Sequence, residues 1–206
     1  MKQVITAKLK LLTTPGQFAA LRSVQLAYRD ALNYASRYAF AHGKMSNQEA
    51  LQRGTYAQLR TTYKLSAQLA CNVPRQVGAS YKALWTKAKQ NTAQRRVGIT
   101  KKRYKGLDQP PKYVSPTLTY NYKRDYSFKQ DQHVSLLTLE GRVVVSYTGY
   151  DQHVALIHHG TSIGAAKLYY DKPRKQFYQS AREDPLPFRE GDESAAPFRF
   201  FTGVRE

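Results

Sequence analysis

The sequence predicts an α+β fold, in which a small β-barrel has its first strand separated from the others by a helical insertion. Three stretches of sequence indicate this order. Residues 5–11 alternate apolar and polar side chains, as in a strand with one buried face. Residues 14–92 repeat apolar side chains at the three- to four-residue spacing of amphipathic helices. Beyond Lys112 the chain consists of short runs rich in β-branched and aromatic residues, which are typical of strands.

The first helix is predicted to begin directly after the first strand. Thr14 can cap it, Pro15 suits its first position, and Gln17 can bond back to the cap as in a capping box. Apolar residues then recur at helical spacing as far as Tyr38, and Gly43 is a typical residue at a helix end. We therefore expect a single amphipathic helix between Pro15 and Gly43.

Two short helices are expected next, because the capping spacing occurs twice more. Ser46 is followed by Glu49 three residues later, and Thr55 is followed in the same way by Gln58. We predict one helix beginning at each of these hydroxyl residues.

A longer helix is expected to begin near Pro74, because proline is favoured in the first turn of a helix. Its apolar residues form one stripe, in which Trp85 is predicted to be a core anchor. The members of the stripe are Val77, Tyr81, Leu84, Trp85 and Ala88. The basic and amide residues lie mostly on other faces, and these are Arg75, Gln76, Lys82, Lys87 and Lys89.

Six runs after residue 112 are predicted to be strands, joined in two places by hairpin turns at 140–141 and 171–173. The runs are 117–120, 133–139, 142–147, 152–157, 166–170 and 176–178. After Gln179 the hydrophobic alternation stops and Pro, Gly and acidic residues follow. We expect residues 180–206 to form a disordered tail.

The charge of the chain indicates a polyanionic partner. It has 33 Lys and Arg against 14 Asp and Glu, a net charge of +19. The segment 50–107 contains thirteen of these cations and no Asp or Glu at all. Tyr, Trp and Gln side chains that can stack on bases or bond to their edges lie among the cations. Nucleic acid therefore fits better than a membrane surface.

Other functional classes find less support. Cys71 is the only cysteine, which excludes an internal disulfide and a Cys-x-x-Cys zinc site and favours a reducing compartment. No apolar run reaches the roughly 18 residues that a membrane span needs, and no signal-peptide core follows Met1. We expect a soluble, cytoplasmic protein without a cofactor or a membrane partner.

The histidines do not form a recognisable metal motif. Four of them lie in the predicted strands or beside them, at positions 133, 153, 158 and 159. His158 and His159 would point to opposite faces of a strand, so they could not bind one metal together. We interpret all four as structural or surface residues.

Seven segments between residues 2 and 178 follow one another in a characteristic order. They are KQVITAKLKLL, TPGQFAALR, ALNYASRYAF, VPRQVGASYKALW, KKRYKG, YVSPTLTYNY and KLYYDKPRKQFY. In this order they resemble the N-terminal half of the TnpB (OrfB) family, which are transposon-encoded, RNA-guided DNA endonucleases. No single segment is specific enough to indicate the family, and the resemblance depends on their succession.

The resemblance implies a division of the chain into four parts. A wedge-type (OB-like) β-barrel would comprise residues 1–12 and 112–179, interrupted by a helical recognition lobe at 13–92. A basic linker would follow at 93–111, and the divergent tail at 180–206. In the family, the first two parts bind a transposon-derived guide RNA and double-stranded target DNA, while base pairing reads the remaining sequence.

The sequence departs from the family after KQFY. At that point the family has a segment whose Asp is the first metal ligand of the RuvC nuclease domain, whereas here Gln179 to Asp184 intervene and the chain soon ends. Cleavage by two metal ions needs several carboxylates on a rigid scaffold. We therefore expect a truncated member that binds nucleic acid but is not an enzyme.

Ten residues are predicted to contact nucleic acid. The resemblance places the helix around Gln76 near duplex DNA, and a glutamine amide can make a bidentate contact with adenine. The cations of 101–105 form a dense loop that suits a phosphate backbone. The full set is Arg75, Gln76, Tyr81, Lys82, Arg95, Arg96, Lys101, Lys102, Arg103 and Lys105.

Two other functions fit the same sequence. The chain could be the recognition half of a split nuclease, in which a separate polypeptide brings the nuclease carboxylates. It could instead be a stand-alone RNA-binding or ribosome-associated protein with an OB-like barrel and a basic helical insert. Copurified RNA would distinguish the last function from a TnpB-like fragment, because ribosomal RNA supports the former and a short transposon-end RNA the latter. An adjacent reading frame that encodes the nuclease half would favour the split nuclease.

Overall fold

A computed structural model describes residues 5–115, 117–158 and 162–184. In this part of the chain four helices and one curled, seven-stranded antiparallel sheet form an α+β fold, which confirms the predicted class. The elements are β1 (Ile5–Leu12), α1 (Pro15–Ala41), α2 (Gln48–Thr61), α3 (Ala67–Arg96), β2 (Leu118–Tyr120), β3 (Tyr126–Lys129), β4 (His133–Leu137), β5 (Arg142–Thr148), α4 (Asp151–His158), β6 (Ser162–Asp171) and β7 (Gln176–Asp184).

The sheet has the strand order β2-β6-β7-β1-β5-β4-β3, which places the first strand at its centre. The two end strands, β2 and β3, follow one another in the chain. The Tyr126 hydroxyl of β3 donates to the Gly164 carbonyl of β6 at 2.7 Å, and the Tyr120 hydroxyl of β2 donates to the Leu137 carbonyl of β4. These bonds tie the two ends of the curled sheet to each other.

Helix α1 begins as the sequence predicts. The Gln17 N–H donates to the Thr14 hydroxyl at 3.3 Å, and the Thr14 N–H donates to the Gln17 side-chain carbonyl at 2.9 Å. This reciprocal capping box satisfies two of the free donors at the helix start. The Gln17 amide also donates to the Val144 carbonyl of β5, so the cap fixes the helix against the sheet.

The core lies between α1 and the inner face of the sheet. Ala7, Leu9 and Leu11 are fully buried, whereas Lys8 and Lys10 between them are exposed, which confirms the alternation predicted for the first strand. From the helix, the Phe18 ring lies 5.1 Å from the Phe177 ring of β7. One face of the sheet is therefore covered by helix.

The prediction of two short helices after Ser46 is wrong. A single helix, α2, begins at Gln48 and runs through the second predicted start, and it is capped by Asn47, whose side chain accepts from the N–H groups of Glu49 and Ala50. Thr55 is fully buried in the middle of this helix, and its hydroxyl donates to the Leu51 carbonyl at 2.7 Å. The capping spacing thus occurred by chance at a residue that bonds within the helix.

The predicted start of the long helix is also wrong. Helix α3 begins at Ala67, capped by Ser66, and contains Pro74 in its interior. An internal proline loses one backbone hydrogen bond and costs helix stability. Val73, Pro74 and Val77 are all buried, so tertiary packing compensates for the local preference. The helix extends to Arg96 and takes in the first four residues of the predicted basic linker.

Three further expectations in the second half of the chain fail. Strand β3 corresponds to none of the six predicted strands, and the run 152–157 lies in helix α4 instead of a strand. His158 therefore ends a helix, while His159 lies outside the described residues. Residues 180–184 belong to β7, in which residues 180–183 pair with β1, so the tail cannot begin at 180. Residues 185–206 lie outside the described part of the chain.

A buried carboxyl group lies in the turn between β2 and β3. Asp125 is 0% exposed; its Oδ2 accepts from the Asn121 N–H at 2.8 Å, and its Oδ1 has no hydrogen-bond partner among the described residues. Burial raises the pKa of this carboxyl group, while the Asn121 bond and the Arg142 guanidinium oppose the rise. The fold therefore favours the protonated form.

Replacing Asp125 with Asn should stabilise the protein more at neutral pH than in acid. A raised folded pKa contributes stability that is fully present below the unfolded pKa and is lost as pH rises through the folded value. The neutral amide avoids this loss, so we expect its advantage over wild type to grow as the pH rises from 4 to 7. Denaturant unfolding across this range measures it, and a constant difference would contradict the assignment.

Candidate nucleic-acid interface

Helix α3 carries a straight row of exposed cations. Arg75, Lys82, Lys89 and Arg96 recur every seven residues, and all four are exposed. Seven residues fall only about 20° short of two helical turns, so these side chains lie along one face and span about 30 Å. We refer to these four residues as the α3 stripe.

The positions between the cations of the α3 stripe carry small side chains. Ala79, Thr86 and Ala93 are exposed at the intervening positions of the same face. The Thr86 hydroxyl donates back to the Lys82 carbonyl, which turns its polar atom toward the helix. A flat face with cations about 10 Å apart allows a polyanionic backbone to approach closely.

The second half of α3 lies at the edge of the core, against which Leu84 and Ala88 are half-buried. Residues 82–96 include no buried side chain. Trp85, predicted to be a core anchor, is 38% exposed and donates its indole N–H to the Lys44 carbonyl at 3.0 Å. It is therefore a bridge to the chain between α1 and α2, and the prediction is corrected.

Residues 97–111 form a return loop that folds back along α3. At the helix end the Gly98 N–H donates to the Arg95 carbonyl and the Ile99 N–H donates to the Gln94 carbonyl, and Gly98 has a φ of +77°. This pair of bonds is a Schellman cap, which requires the left-handed conformation that glycine adopts easily. The cap reverses the chain immediately after the last cation of the α3 stripe.

One asparagine fixes the return loop to the helix. The Asn91 amide donates to the Lys102 carbonyl at 3.0 Å, and its carbonyl accepts from the Tyr104 N–H at 2.9 Å. Further along, the Ser36 hydroxyl donates to the Pro111 carbonyl, and the Tyr113 hydroxyl donates to Ser80 on α3. The loop cations are thus held beside the helix.

The cations of helix and loop enclose a shallow surface cavity of about 560 Å³. Its lining combines three cations with two hydroxyl groups and a glycine. The lining residues are Thr92, Arg95, Arg96, Gly98, Thr100 and Lys101. Such a lining presents hydrogen-bond donors and positive charge, which suits a phosphate group.

Few acidic groups oppose this positive surface. In the described part of the chain, ion pairs join Arg29 to Asp30, Arg103 to Asp108 and Arg174 to Asp171. Of the ten predicted contact residues, Arg103 is therefore the one whose charge is paired with a carboxylate among the described residues. The other seven cations of the set have no carboxylate within ion-pair distance among the described residues.

The structure separates the ten predicted residues into two groups. Eight are exposed on α3 or the return loop, and these are Arg75, Lys82, Arg95, Arg96, Lys101, Lys102, Arg103 and Lys105. Gln76 is half-buried, and its side-chain carbonyl accepts from the Tyr28 hydroxyl at 3.2 Å. Tyr81 is 0% exposed and donates to the Ser36 carbonyl at 2.9 Å. Tyr81 belongs to the core, which corrects its assignment as a contact residue.

Lys89 was missed as a candidate contact. Its seven-residue spacing from Lys82 and Arg96 was present in the sequence and could have indicated that the three share a face. The density of cations along the chain, from which the contact residues are predicted, does not show which of them share a helix face. Only the observed length of α3, from Ala67 to Arg96, shows that all four stripe positions lie on one continuous helix.

Neither a metal cluster nor a membrane span is found within the described ranges. No group of three or more His, Cys, Asp or Glu side chains there lies close enough to hold a metal ion. Likewise, no helix in this part of the chain combines the length and apolar character that crossing a bilayer requires.

Comparison with known proteins adds no assignment. The chain matches no family model, and it matches no curated protein sequence. The proposed function therefore depends on the geometry and charge of the chain itself.

Proposed function

We propose that this chain binds nucleic acid through the α3 stripe and the return loop. One observation carries the proposal: seven cations that have no carboxylate partner among the described residues lie on two adjoining segments that Asn91 holds together. They are Arg75, Lys82, Lys89, Arg96, Lys101, Lys102 and Lys105. Replacing condensed counterions on a phosphate backbone is the main source of affinity for such a surface.

We further propose that the chain is a TnpB-like recognition fragment. In this proposal the curled sheet is the wedge-type, OB-like barrel, and α1 to α3 form the recognition lobe inserted after its first strand. The order of elements supports it, because β1 lies between β5 and β7 at the centre of the sheet while three helices separate it from them in the chain. The ligands would be a transposon-derived guide RNA and double-stranded target DNA, bound without cleavage by this chain.

The α3 stripe and the return loop suit different parts of these ligands. A straight helical face about 30 Å long can follow a duplex, whose backbone is regular. A cationic loop without regular spacing suits a folded RNA, where phosphates approach in irregular positions. Gln76 could read a base edge after its bond to Tyr28 is exchanged for one to the base.

The loop assignment is tested by replacing Lys101, Lys102, Arg103 and Lys105 with Ala. We expect affinity for a structured RNA to fall about 100-fold at 0.1 M salt, and the dependence of log affinity on log salt to become shallower by about 2 to 3. Arg103 contributes least, because its guanidinium is paired with Asp108. Fluorescence anisotropy titrations at several salt concentrations measure both quantities.

The matched control removes four exposed cations elsewhere, through Arg37→Gln, Arg53→Gln, Lys64→Gln and Lys129→Gln. We refer to these four positions as the control set. The two variants change the net charge equally, so a general loss of positive charge affects both. Equal affinity losses in both variants would count against a localised interface.

RNA recovered with the purified chain separates a TnpB-like fragment from a ribosome-associated protein, since ribosomal RNA would favour the latter.

A further inference from the structure

In the part of the chain that the structure describes, the helices leave the outer face of the sheet uncovered. Helix α1 packs on the inner face, where Phe18 meets Phe177 and the Gln25 amide donates to the Leu168 carbonyl. The residues that alternate with these two strand positions, Tyr178 and Tyr169, therefore point to the other side. They are partly exposed there, beside the exposed side chain of Lys8.

Two tyrosines form an aromatic pair on this outer face. Tyr169 of β6 and Tyr178 of β7 are directly opposite in the antiparallel register. Their rings are stacked, with centroids 5.7 Å apart and planes inclined by 19°. The Lys8 ammonium group on β1 lies 4.7 Å from the Tyr178 ring centroid and 6.0 Å from that of Tyr169. A cation thus already occupies the position over the rings.

Further cations surround the tyrosine pair. Lys167 lies two residues before Tyr169 on β6, and Lys10 is paired with Tyr178 in the register of β1 and β7. The turn between β6 and β7 adds three exposed cations, Lys172, Arg174 and Lys175. Asp171 is the nearest described acid in sequence, and its carboxylate lies 3.8 Å from the Arg174 guanidinium. The patch is therefore positive overall.

Hydroxyl groups complete the surface. Ser180 is paired with Lys8 across β1 and with Lys167 across β6, and Thr148 is paired with Lys10. Both are at least partly exposed. Hydroxyls can exchange hydrogen bonds with the 2′-hydroxyl of ribose, which is both a donor and an acceptor. This feature favours RNA over DNA as the ligand.

We propose that the outer face of the sheet binds unpaired nucleotides of RNA. A base stacks on the tyrosine pair, displacing the Lys8 ammonium from the ring to the adjacent phosphate. Lys10 and Lys167 contact the neighbouring phosphates on either side. This inference rests on the proposed affinity for nucleic acid, but it uses a surface that shares no residue with α3 or the return loop.

The test uses a variant in which the helix site is already weakened, with all four residues of the α3 stripe changed to Gln. In this background Tyr169→Leu with Tyr178→Leu is compared with Tyr169→Phe and Tyr178→Phe. We expect the leucine pair to weaken binding of a single-stranded RNA of about eight nucleotides by about 10- to 100-fold. The phenylalanine pair keeps the rings and should bind within about threefold of the background. Thermal unfolding checks that each variant is folded.

Ultraviolet crosslinking of the unmodified chain to 4-thiouridine RNA provides a second measurement that needs no variant. Crosslinks at Tyr169 or Tyr178 support the site, and crosslinks confined to residues 75–105 overturn it. Equal affinity of the background variant for DNA of the same sequence would overturn the assignment to RNA. If the wild-type chain binds no nucleic acid, the proposed function fails as well; if it binds but the leucine pair changes nothing, only the present inference fails.

Discussion

Neutralising the α3 stripe should weaken binding to duplex DNA by about 10³-fold at 0.1 M salt. The variant carries Arg75→Gln, Lys82→Gln, Lys89→Gln and Arg96→Gln. Each cation that contacts a phosphate contributes about 0.9 to the slope of log affinity against log salt, so four lost contacts should reduce the slope by about 3 to 4. All four side chains are exposed on one face, so the folded structure should persist. Glutamine also retains a high helix propensity.

The slope is the decisive quantity in this experiment. A general change in net charge alters affinity modestly, whereas removing phosphate contacts changes the number of counterions released. The control set, changed to Gln at its four positions, should leave the slope within about one unit of wild type. An unchanged slope in the stripe variant would show that the duplex, if bound, lies on another surface.

Replacing Tyr81 with Ala should lower the free energy of unfolding by about 3–5 kcal/mol, which is the usual cost of removing a large aromatic side chain from a core. Tyr81 is completely buried on the inner side of α3, and its hydroxyl donates to the Ser36 carbonyl of α1. Both the packing between these helices and this hydrogen bond are lost in the variant. Denaturant unfolding monitored by circular dichroism measures the change.

Tyr81→Phe separates a core role from a binding role. It keeps the ring and removes only the hydroxyl, so we expect a loss of about 0.5–1.5 kcal/mol in stability. Affinity for DNA and RNA should remain equal to that of wild type, because no part of the side chain reaches the surface. A clear fall in affinity with unchanged stability would restore Tyr81 as a contact residue.

The burial of Tyr81 could not be predicted from the sequence. The same residue was part of a predicted apolar stripe and of a predicted contact surface, and periodicity alone could not decide between them. The long connection from residue 97 to 113 returns beside α3 and bonds to α1 through Ser36, which encloses this region. Contacts between residues that are distant in sequence determined the burial.

The helix boundaries failed for a related reason. Capping spacing is a local signal, and it correctly identified Thr14, where the chain leaves a strand and the capping box forms. At Thr55 the same spacing fell inside a helix, because the buried face of α2, with Leu51 and Leu59, packs against the rest of the helices. In the same way, the packing of buried residues keeps α3 helical on both sides of Pro74. A local preference worth about 1 kcal/mol yields to several buried side chains.

By itself, the sequence determined the α+β class, the alternation of the first strand, the start of α1 and the exclusion of acidic residues from segment 50–107. Each of these depends on neighbouring residues or on composition. Tertiary structure alone decided that four cations align on one face of α3, that Asn91 holds the return loop beside them, and that Tyr169 and Tyr178 stack beneath Lys8. These arrangements arise from strand register and from contacts between segments that are distant in sequence. Local sequence patterns do not specify such contacts, because the relative positions of surface groups depend on the packing of the whole chain.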